Sequence, residues 1–323
     1  MQSVPRIGVI LLLSLCFFTH WILAGEIETS LAVADEMGNT YASVYSIAGL
    51  PQQNFLLNQH YRNGDVIAIK FNGTRGYLIK PKEKIDPKRR WIWLAPLWVA
   101  FRTPTDGSRI QGGGSFVRFY IEQALDAGIH VAGLDVGTSC GSPKGADLYQ
   151  SFYEWVVEAQ HLHPKVRLFG VSNGGLISYA WAFRHPQHVE RIFCVYPVTD
   201  MRTWPGLDKV SGRTLVPQPP DRTPGRITPE GLGYGLSPAE LEVRLAEFNP
   251  IDNLGPLAKA GVKIFHIHGD KDQLVPMDAN SVEFMTRYRA LGGVAKLDVL
   301  PGLGHGGKDF FQYQPAADFL TEK

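Results

Sequence analysis

The sequence has almost no excess of charge of either sign. Its 32 lysines and arginines are balanced by 31 aspartates and glutamates, which leaves a formal net charge of +1. Proteins that bind nucleic acids or anionic membrane surfaces usually carry a clear excess of basic residues. The composition therefore offers no electrostatic support for such partners, and we expect no nucleic-acid partner.

Cysteine is scarce as well, at three residues in 323. Cys16 lies in an apolar N-terminal segment, which leaves Cys140 and Cys194 for the rest of the chain. Two cysteines do not make the disulfide framework that stabilises small secreted domains. With 44% apolar residues, a chain of this length can be stabilised by a buried core instead.

Long apolar runs are absent beyond the N-terminus. There, Arg6 precedes an apolar run over 7–18, a polar pair interrupts the run, and the small pair Ala24-Gly25 ends the segment. This order is typical of a secretory signal peptide, whereas a membrane span needs about 20 consecutive apolar residues. We predict a leader at 1–25 rather than a retained anchor. We expect a secreted or periplasmic protein with no stable membrane span after leader removal.

Short apolar segments alternate with helical patterns from Trp91 onward, and an Asn-Gly pair at 72–73 predicts an antiparallel hairpin before them. The alternation predicts an α/β fold with a mainly parallel sheet that helices cover on both faces. The predicted strands are 66–71, 74–80, 91–95, 129–135, 166–171, 191–196, 262–268 and 296–300. The predicted helices are 116–127 after Ser115, 147–161, 173–185, 278–291 capped by Asp278, and 310–320.

One stretch, residues 201–250, interrupts this alternation after the sixth predicted strand. It is rich in proline and glycine, and a capping-box sequence at 237–240 predicts a helix near its end. Long loops in compact domains are usually functional, so we interpret this stretch as a lid-like insertion over the strand ends. A surface loop with no role in the site is the alternative.

Residues 170–174 read Gly-Val-Ser-Asn-Gly and fit the pattern G-x-S-x-G. In a chain with 34 glycines this pattern alone is a weak signal, because an ordinary glycine-rich loop can match it by chance. However, a predicted strand runs directly into the motif and a predicted helix begins at Asn173. That strand-turn-helix context is the one a nucleophilic serine requires, so Ser172 is the candidate nucleophile.

A serine nucleophile needs an imidazole to accept its proton and a carboxylate to hold that imidazole in one tautomer. Asp272 follows the predicted strand 262–268 and is the candidate carboxylate. We interpret Asp270 as a turn residue, and Asp200 is the backup acid. His305 lies in a glycine-rich loop after the last predicted strand and is the candidate base. The alternatives are an Asx turn for the aspartate and a solvated surface histidine.

Three motifs now stand in the order serine, aspartate, histidine: Gly170 to Gly174, His268 to Asp272 with Val275-Pro276, and Gly304-His305-Gly306. This order resembles that of the α/β-hydrolase superfamily, most closely the single-domain branch near the prolyl-oligopeptidase and dienelactone-hydrolase-like esterases. The resemblance extends from Val66 to the C-terminus. It implies one α/β-hydrolase domain over 26–323 that acts without a cofactor or metal.

The resemblance also implies an oxyanion hole with two backbone N–H donors. One donor is Asn173, directly after the nucleophile. The other comes from the loop after the strand 91–95, which places Leu97 at the position, with Trp98 as the alternative. The chain departs from the family pattern here, because Ala95-Pro96 stands where a His-Gly pair is usual.

The family's strand order separates the strands near Cys140 and Cys194. A disulfide needs Cα atoms about 5.5 Å apart, and each step between neighbouring strands is already about 4.8 Å. We therefore expect two free thiols.

The function that the resemblance implies is a secreted serine hydrolase that cleaves carboxylic esters. The substrate would be a small molecule or an ester carried on a polymer. A serine peptidase of the prolyl-oligopeptidase-like type is one alternative, although the few residues before the hairpin have no room for the propeller such enzymes carry. A binding protein that kept the fold and lost the activity is the other.

Overall fold

The computed structural model describes residues 27–31, 33–34, 40–45, 53–57, 61, 63–72, 74–96, 117–136, 139–204 and 233–323. Four of the predictions above involve residues outside these ranges. They are the leader at 1–25, the helix cap at Ser115, the middle of the insertion at 205–232, and the second oxyanion donor at Leu97 or Trp98.

Twelve strands in the described residues form two sheets. The main sheet has nine strands, in the order β1-β5-β6-β8-β7-β9-β10-β11-β12, and β2-β3-β4 form a small second sheet. The strands are β1 Ile27–Leu31, β2 Val33–Ala34, β3 Thr40–Tyr45, β4 Gln53–Leu57, β5 Gly64–Phe71, β6 Thr74–Pro81, β7 Trp91–Ala95, β8 His130–Leu134, β9 Val166–Val171, β10 Val189–Val195, β11 Lys263–Gly269 and β12 Ala295–Leu300.

The sheet confirms the predicted α/β-hydrolase architecture. Strands β8, β7, β9, β10, β11 and β12 pair in parallel, and β1, β5 and β6 add an antiparallel edge. The hairpin is present with Phe71 opposite Thr74. Strands β1 to β4 were not predicted. They are short, and β1 is held by pairing with the edge of β5, a tertiary contact that local sequence does not encode.

The helices lie close to their predicted positions. They are α1 Arg118–Asp126, α2 Pro143–Glu158, α3 Asn173–Ala182, α4 Pro238–Phe248, α5 Gly255–Lys259, α6 Glu283–Ala290 and α7 Gln314–Thr321. Short 3₁₀ segments cover Pro186–His188, Pro250–Asp252 and Lys308–Phe311, and a π turn covers Asp278–Val282. Helix α4 begins with the predicted capping box of Ser237 and Glu240.

Three predicted helix starts were wrong. Helix α1 has Val117 at its N-cap and no side-chain cap, and Ser115 lies outside the described residues. Helix α2 begins four residues early because Ser142 accepts a hydrogen bond from the N–H of Gly145 and a proline suits its first turn. Asp278 does not cap a helix, because it opens the π turn that leads into α6.

Helices cover both faces of the sheet. Alternate residues of β9 point to opposite sides: Phe169 belongs to a core cluster with residues of α1 and α7, and Leu168 belongs to a second cluster with residues of α2, α3 and α6. A third cluster joins Leu241 and Leu245 of α4 to Leu176 of α3, so the end of the insertion is anchored beside the helix that follows Ser172. Among the helices of the described ranges, none combines the length and apolar character needed to cross a membrane.

Cys140 and Cys194 are both buried free thiols, as predicted. Cys194 lies on β10, whereas Cys140 follows β8, and strands β7 and β9 separate the two. Burial raises the pKa of the Cys140 thiol to about 12, which keeps that thiol protonated and unreactive at neutral pH.

Candidate active site

Ser172 occupies a strained turn between β9 and α3. Its φ of 53° and ψ of −119° lie in a region that residues with a side chain rarely adopt. The surroundings hold this conformation: the Ser172 N–H donates to the carbonyl of Val195, and the Ser172 carbonyl accepts from Gly175 and Val198, all within 3.1 Å. Such strain persists only where the neighbouring structure fixes it, which is common at reactive residues.

Two glycines of the motif are required by close approach. A Cβ on Gly170 would lie 2.8 Å from the backbone of Gly175, and a Cβ on Gly174 would overlap the carbonyl of Ala95. Strand β7 therefore packs directly on the start of α3. The turn that presents Ser172 is possible only because both positions lack a side chain.

The three predicted catalytic side chains meet at the carboxyl edge of the sheet. Ser172 Oγ lies 2.9 Å from His305 Nε2, and His305 Nδ1 lies 2.7 Å from Asp272 Oδ2. Ser172 follows β9, Asp272 follows β11 and His305 follows β12, so parallel strands carry all three to one edge. Because the carboxylate accepts from Nδ1, the ring nitrogen that faces the serine is free to accept its proton.

Asp272 is saturated with donors. Its Oδ1 accepts from the N–H groups of Leu274 and Val275 at 3.0 and 2.9 Å, and its Oδ2 faces both His305 and His268. Burial alone raises the pKa of Asp272, but hydrogen bonds from His268, His305 and Val275 outweigh it and hold the pKa well below its ordinary value. The carboxylate is therefore ionised at neutral pH and can stabilise a protonated His305.

Tyr196 packs on the imidazole of His305, with ring centroids 4.2 Å apart. It directly follows β10 with a φ of 34°, and its N–H donates to the carbonyl of Ile267 at 2.8 Å. Burial and the charge of Asp272 raise the pKa of Tyr196, so the phenol stays protonated. Tyr196 was not predicted as a site residue, and its place directly after a strand is the only signal that the sequence offers.

Other predicted residues have different places. Asn173 is the first residue of α3, where a backbone N–H has no acceptor within the helix, as an oxyanion donor requires. Asp200 is not beside His305, because its carboxylate accepts from Asn249 and Arg202. Asp270 accepts from the N–H of Gly302, which links two loops at the edge of the site.

His266 and His268, which lie two residues apart on β11, are completely buried. Within the ranges that the structure describes, no group of histidine, cysteine or acidic side chains could hold a metal ion. The arrangement at Ser172 can instead perform acyl transfer, in which a hydroxyl attacks a carbonyl and an imidazole moves the proton.

Peptidases and esterases are among the solved structures that are similar to this chain. Porphyromonas gingivalis dipeptidyl peptidase 4 matches with a TM-score of 0.53 and 14% identity, over 88% of this chain and 36% of the peptidase. A truncated carbohydrate esterase from gut microbiota matches with a TM-score of 0.52 and 19% identity, over 77% and 90% of the two chains. Est1E from Butyrivibrio proteoclasticus matches with a TM-score of 0.51 and 16% identity, over 80% and 96%.

At these identities the likeness concerns the fold alone, and this chain spans about a third of the length of the peptidase. No curated protein matches the chain. The family model for the prolyl oligopeptidase family matches residues 146–322, which is more than half of the sequence and includes Ser172, Asp272 and His305. The chain therefore belongs to the prolyl oligopeptidase family of serine hydrolases.

Proposed function

We propose that this protein cleaves carboxylic esters through an acyl-enzyme formed on Ser172. The observation that carries the proposal is the continuous hydrogen-bonded line from Ser172 through His305 to the buried, ionised Asp272. A strained turn presents the hydroxyl at the start of this line. Each group has the partner that its role in acyl transfer demands.

The reaction proceeds in two balanced halves. Ser172 Oγ attacks the ester carbonyl while its proton moves to His305 Nε2, and the imidazolium then gives that proton to the departing alcohol. In the second half, water gives a proton to His305 and attacks the acyl-enzyme, and the imidazolium returns that proton to Ser172 Oγ as the acid leaves. Asp272 stabilises the imidazolium in both halves, and the Asn173 N–H donates to the oxyanion. Leu97 or Trp98 supplies the second donor in this proposal.

Ester cleavage is the first candidate because the truncated carbohydrate esterase and Est1E are among the solved structures that share this fold. Peptide hydrolysis is the second candidate, and the family to which the chain belongs favours it. A binding protein without activity is disfavoured because it would need neither the strained turn nor the aligned hydrogen bonds.

The test compares short-chain aryl esters with aminoacyl and dipeptidyl anilides as substrates. Wild type is measured beside Ser172→Ala, with Ser151→Ala as the control, because Ser151 lies on the surface of α2. We expect ester turnover in wild type and Ser151→Ala, and none in Ser172→Ala. Faster cleavage of the anilides would favour the peptidase. Equal ester turnover in wild type and Ser172→Ala would exclude Ser172 as the nucleophile.

The proposal includes export by the leader at 1–25. Its support is the order of basic, apolar and small residues in the sequence. Expression of the full chain with its leader should deliver a protein outside the cytoplasm that begins near Glu26. N-terminal sequencing of the exported protein checks this, and a product that keeps Met1 and stays in the membrane would contradict it.

A further inference from the structure

A line of buried polar side chains continues behind Asp272. His268 Nδ1 lies 2.8 Å from Ser281 Oγ, and the same oxygen lies 3.0 Å from His266 Nδ1. His266 Nε2 in turn lies 2.7 Å from the hydroxyl of Tyr179. The line thus starts at Asp272 in the loop after β11. It continues through the two histidines of β11 and Ser281 of the π turn, and it ends at Tyr179 of helix α3.

None of the four residues in this line reaches solvent. Tyr179, His266, His268 and Ser281 each have a relative exposure of 0%. Buried polar groups are costly unless they are hydrogen-bonded, and apolar residues could fill the same space without that cost. An uninterrupted polar line that ends on a catalytic carboxylate therefore needs an explanation beyond packing.

The protons of this line can be assigned in one consistent direction. Burial, and then the neighbouring His268, lower the pKa of His266 well below its ordinary value, so that ring is neutral. Tyr179 donates to His266 Nε2, His266 Nδ1 donates to Ser281, and the Ser281 hydroxyl donates to His268 Nδ1. This assignment leaves the proton of His268 on Nε2, which faces the Asp272 loop.

His268 contacts that loop in two ways. Its Nε2 donates to the carbonyl of Val275 at 3.0 Å, and Nε2 also lies 3.3 Å from Asp272 Oδ2. Val275 in turn donates its N–H to Asp272 Oδ1 at 2.9 Å. The imidazole of His268 thus contacts Asp272 Oδ2 directly, and it also holds the Val275 backbone that donates to Asp272 Oδ1.

We propose that His268 is a positioning residue for Asp272, and that Ser281, His266 and Tyr179 fix the orientation of the His268 ring. The inference rests on the proposed function. Without His268, the Asp272 carboxylate can rotate away from His305 Nδ1, and the imidazolium formed during acyl transfer loses its partner. Substrate binding does not involve this line, so its loss lowers kcat and leaves KM unchanged.

The test replaces His268 in two ways. His268→Phe keeps an apolar ring and removes both nitrogens, and we expect kcat for an aryl ester to fall about a hundredfold, because small misplacements of catalytic groups cost that much. His268→Gln restores an N–H donor near the position of Nε2, and we expect it to recover most of the lost rate. Ser281→Ala should give a smaller loss than His268→Phe.

A matched control separates positioning from general damage to a buried histidine. His130 is 2% exposed and is the first residue of β8, so it lies at the amino ends of the parallel strands, whereas Ser172 lies at their carboxyl ends. His130→Phe should leave kcat at the wild-type value, whatever it does to the melting temperature. Wild-type kcat in His268→Phe would overturn the inference, and so would a glutamine variant that is folded but no faster than the phenylalanine variant.

A second readout does not depend on turnover. The proton that His305 shares with Asp272 should give a low-field proton NMR signal in wild type. That signal should be lost or shifted in His268→Phe and restored in His268→Gln. An unchanged signal in His268→Phe would overturn the inference even if the wild type cleaved no ester, whereas an inactive wild type would by itself overturn only the proposed function.

Discussion

The carboxyl ends of β9, β11 and β12 carry a serine, an aspartate and a histidine, whereas the amino ends of β7, β9 and β10 carry three arginines. Arg90, Arg167 and Arg191 are at most 5% exposed. Charged groups are thus buried at both edges of one sheet. They serve different ends, because their partners differ.

At the amino edge, the arginines hold the C-terminal helix. Arg167 donates to the carbonyls of Leu320 and Glu322 at 2.7 and 2.6 Å, and Arg191 donates to the carbonyl of Phe319. These carbonyls lie at the end of α7, where a helix has no internal donors left. Glu190 pairs with both arginines and balances their charge.

At the carboxyl ends of the strands, the backbone of Ser172 is strained, and the hydrogen bonds of the three catalytic side chains change during the proposed reaction. Ser172 is held at a positive φ, and its hydroxyl is bonded to an imidazole that a substrate must engage. The amino ends of the strands hold ion pairs that no step of the reaction alters. Burial of charge alone therefore does not mark an active site. The distinguishing feature of the active site is a buried charge that is hydrogen-bonded, through a partly exposed imidazole, to a residue with a strained backbone.

The first prediction concerns a substitution at the carboxyl ends of the strands, where the catalytic side chains lie. Asp272→Asn should lower kcat about 10⁴-fold, because an amide cannot stabilise the imidazolium and favours the wrong tautomer of His305. The loss of stability should be far smaller, about 1–3 kcal/mol, from placing an amide N–H₂ among N–H donors. Ester turnover and urea unfolding measure both effects. Asp270→Asn, in the same loop, is the control and should keep nearly full activity.

The second prediction concerns a substitution at the amino ends of the strands, where the buried arginines lie. Arg167→Met should destabilise the protein by about 3–5 kcal/mol, because it removes the buried arginine of the ion pair with Glu190 and leaves two helix carbonyls without their donor. Its kcat should stay at the wild-type value below the melting transition. Arg244→Met is the control, since that arginine is 47% exposed and its loss should change stability far less than the loss of Arg167. A large fall in kcat for Arg167→Met in the folded state would contradict the comparison.

The third prediction concerns pH at the amino edge. A hydrogen bond from Arg90 lowers the pKa of Asp86 from its ordinary 3.8 to about 2. A lowered pKa adds stability above about pH 5, and this contribution is lost as the pH falls toward 2. The shift corresponds to about 2 kcal/mol. The difference in unfolding free energy between wild type and Asp86→Asn should therefore shrink steadily over this range, and a constant difference would contradict the assignment.

Much of the carboxyl edge could be predicted from sequence. Ser172, Asp272 and His305 each follow a short apolar strand, and parallel strands bring such residues together whatever their separation in the chain. Strand β9 was predicted with its observed bounds because its flanks are a loop and a glycine-containing turn.

The contacts behind the site could not be predicted. Tyr196 meets His305, and Ser281 meets His268, only because of the distance and angle between packed elements. The π turn before α6, which places Ser281, has no sequence signature that separates it from an ordinary helix start. The arginines of the amino edge likewise look like surface residues until the end of α7 lies over them.

The most direct test of the central claim is covalent labelling. Wild type and Ser172→Ala are incubated with a fluorophosphonate, and the modified peptide is located by mass spectrometry, with Arg167→Met as a folded variant altered at the other edge. We expect one label, on Ser172, in wild type and in folded Arg167→Met, and none in Ser172→Ala. Equal labelling of Ser172→Ala, or a label on another residue of the wild type, would contradict it.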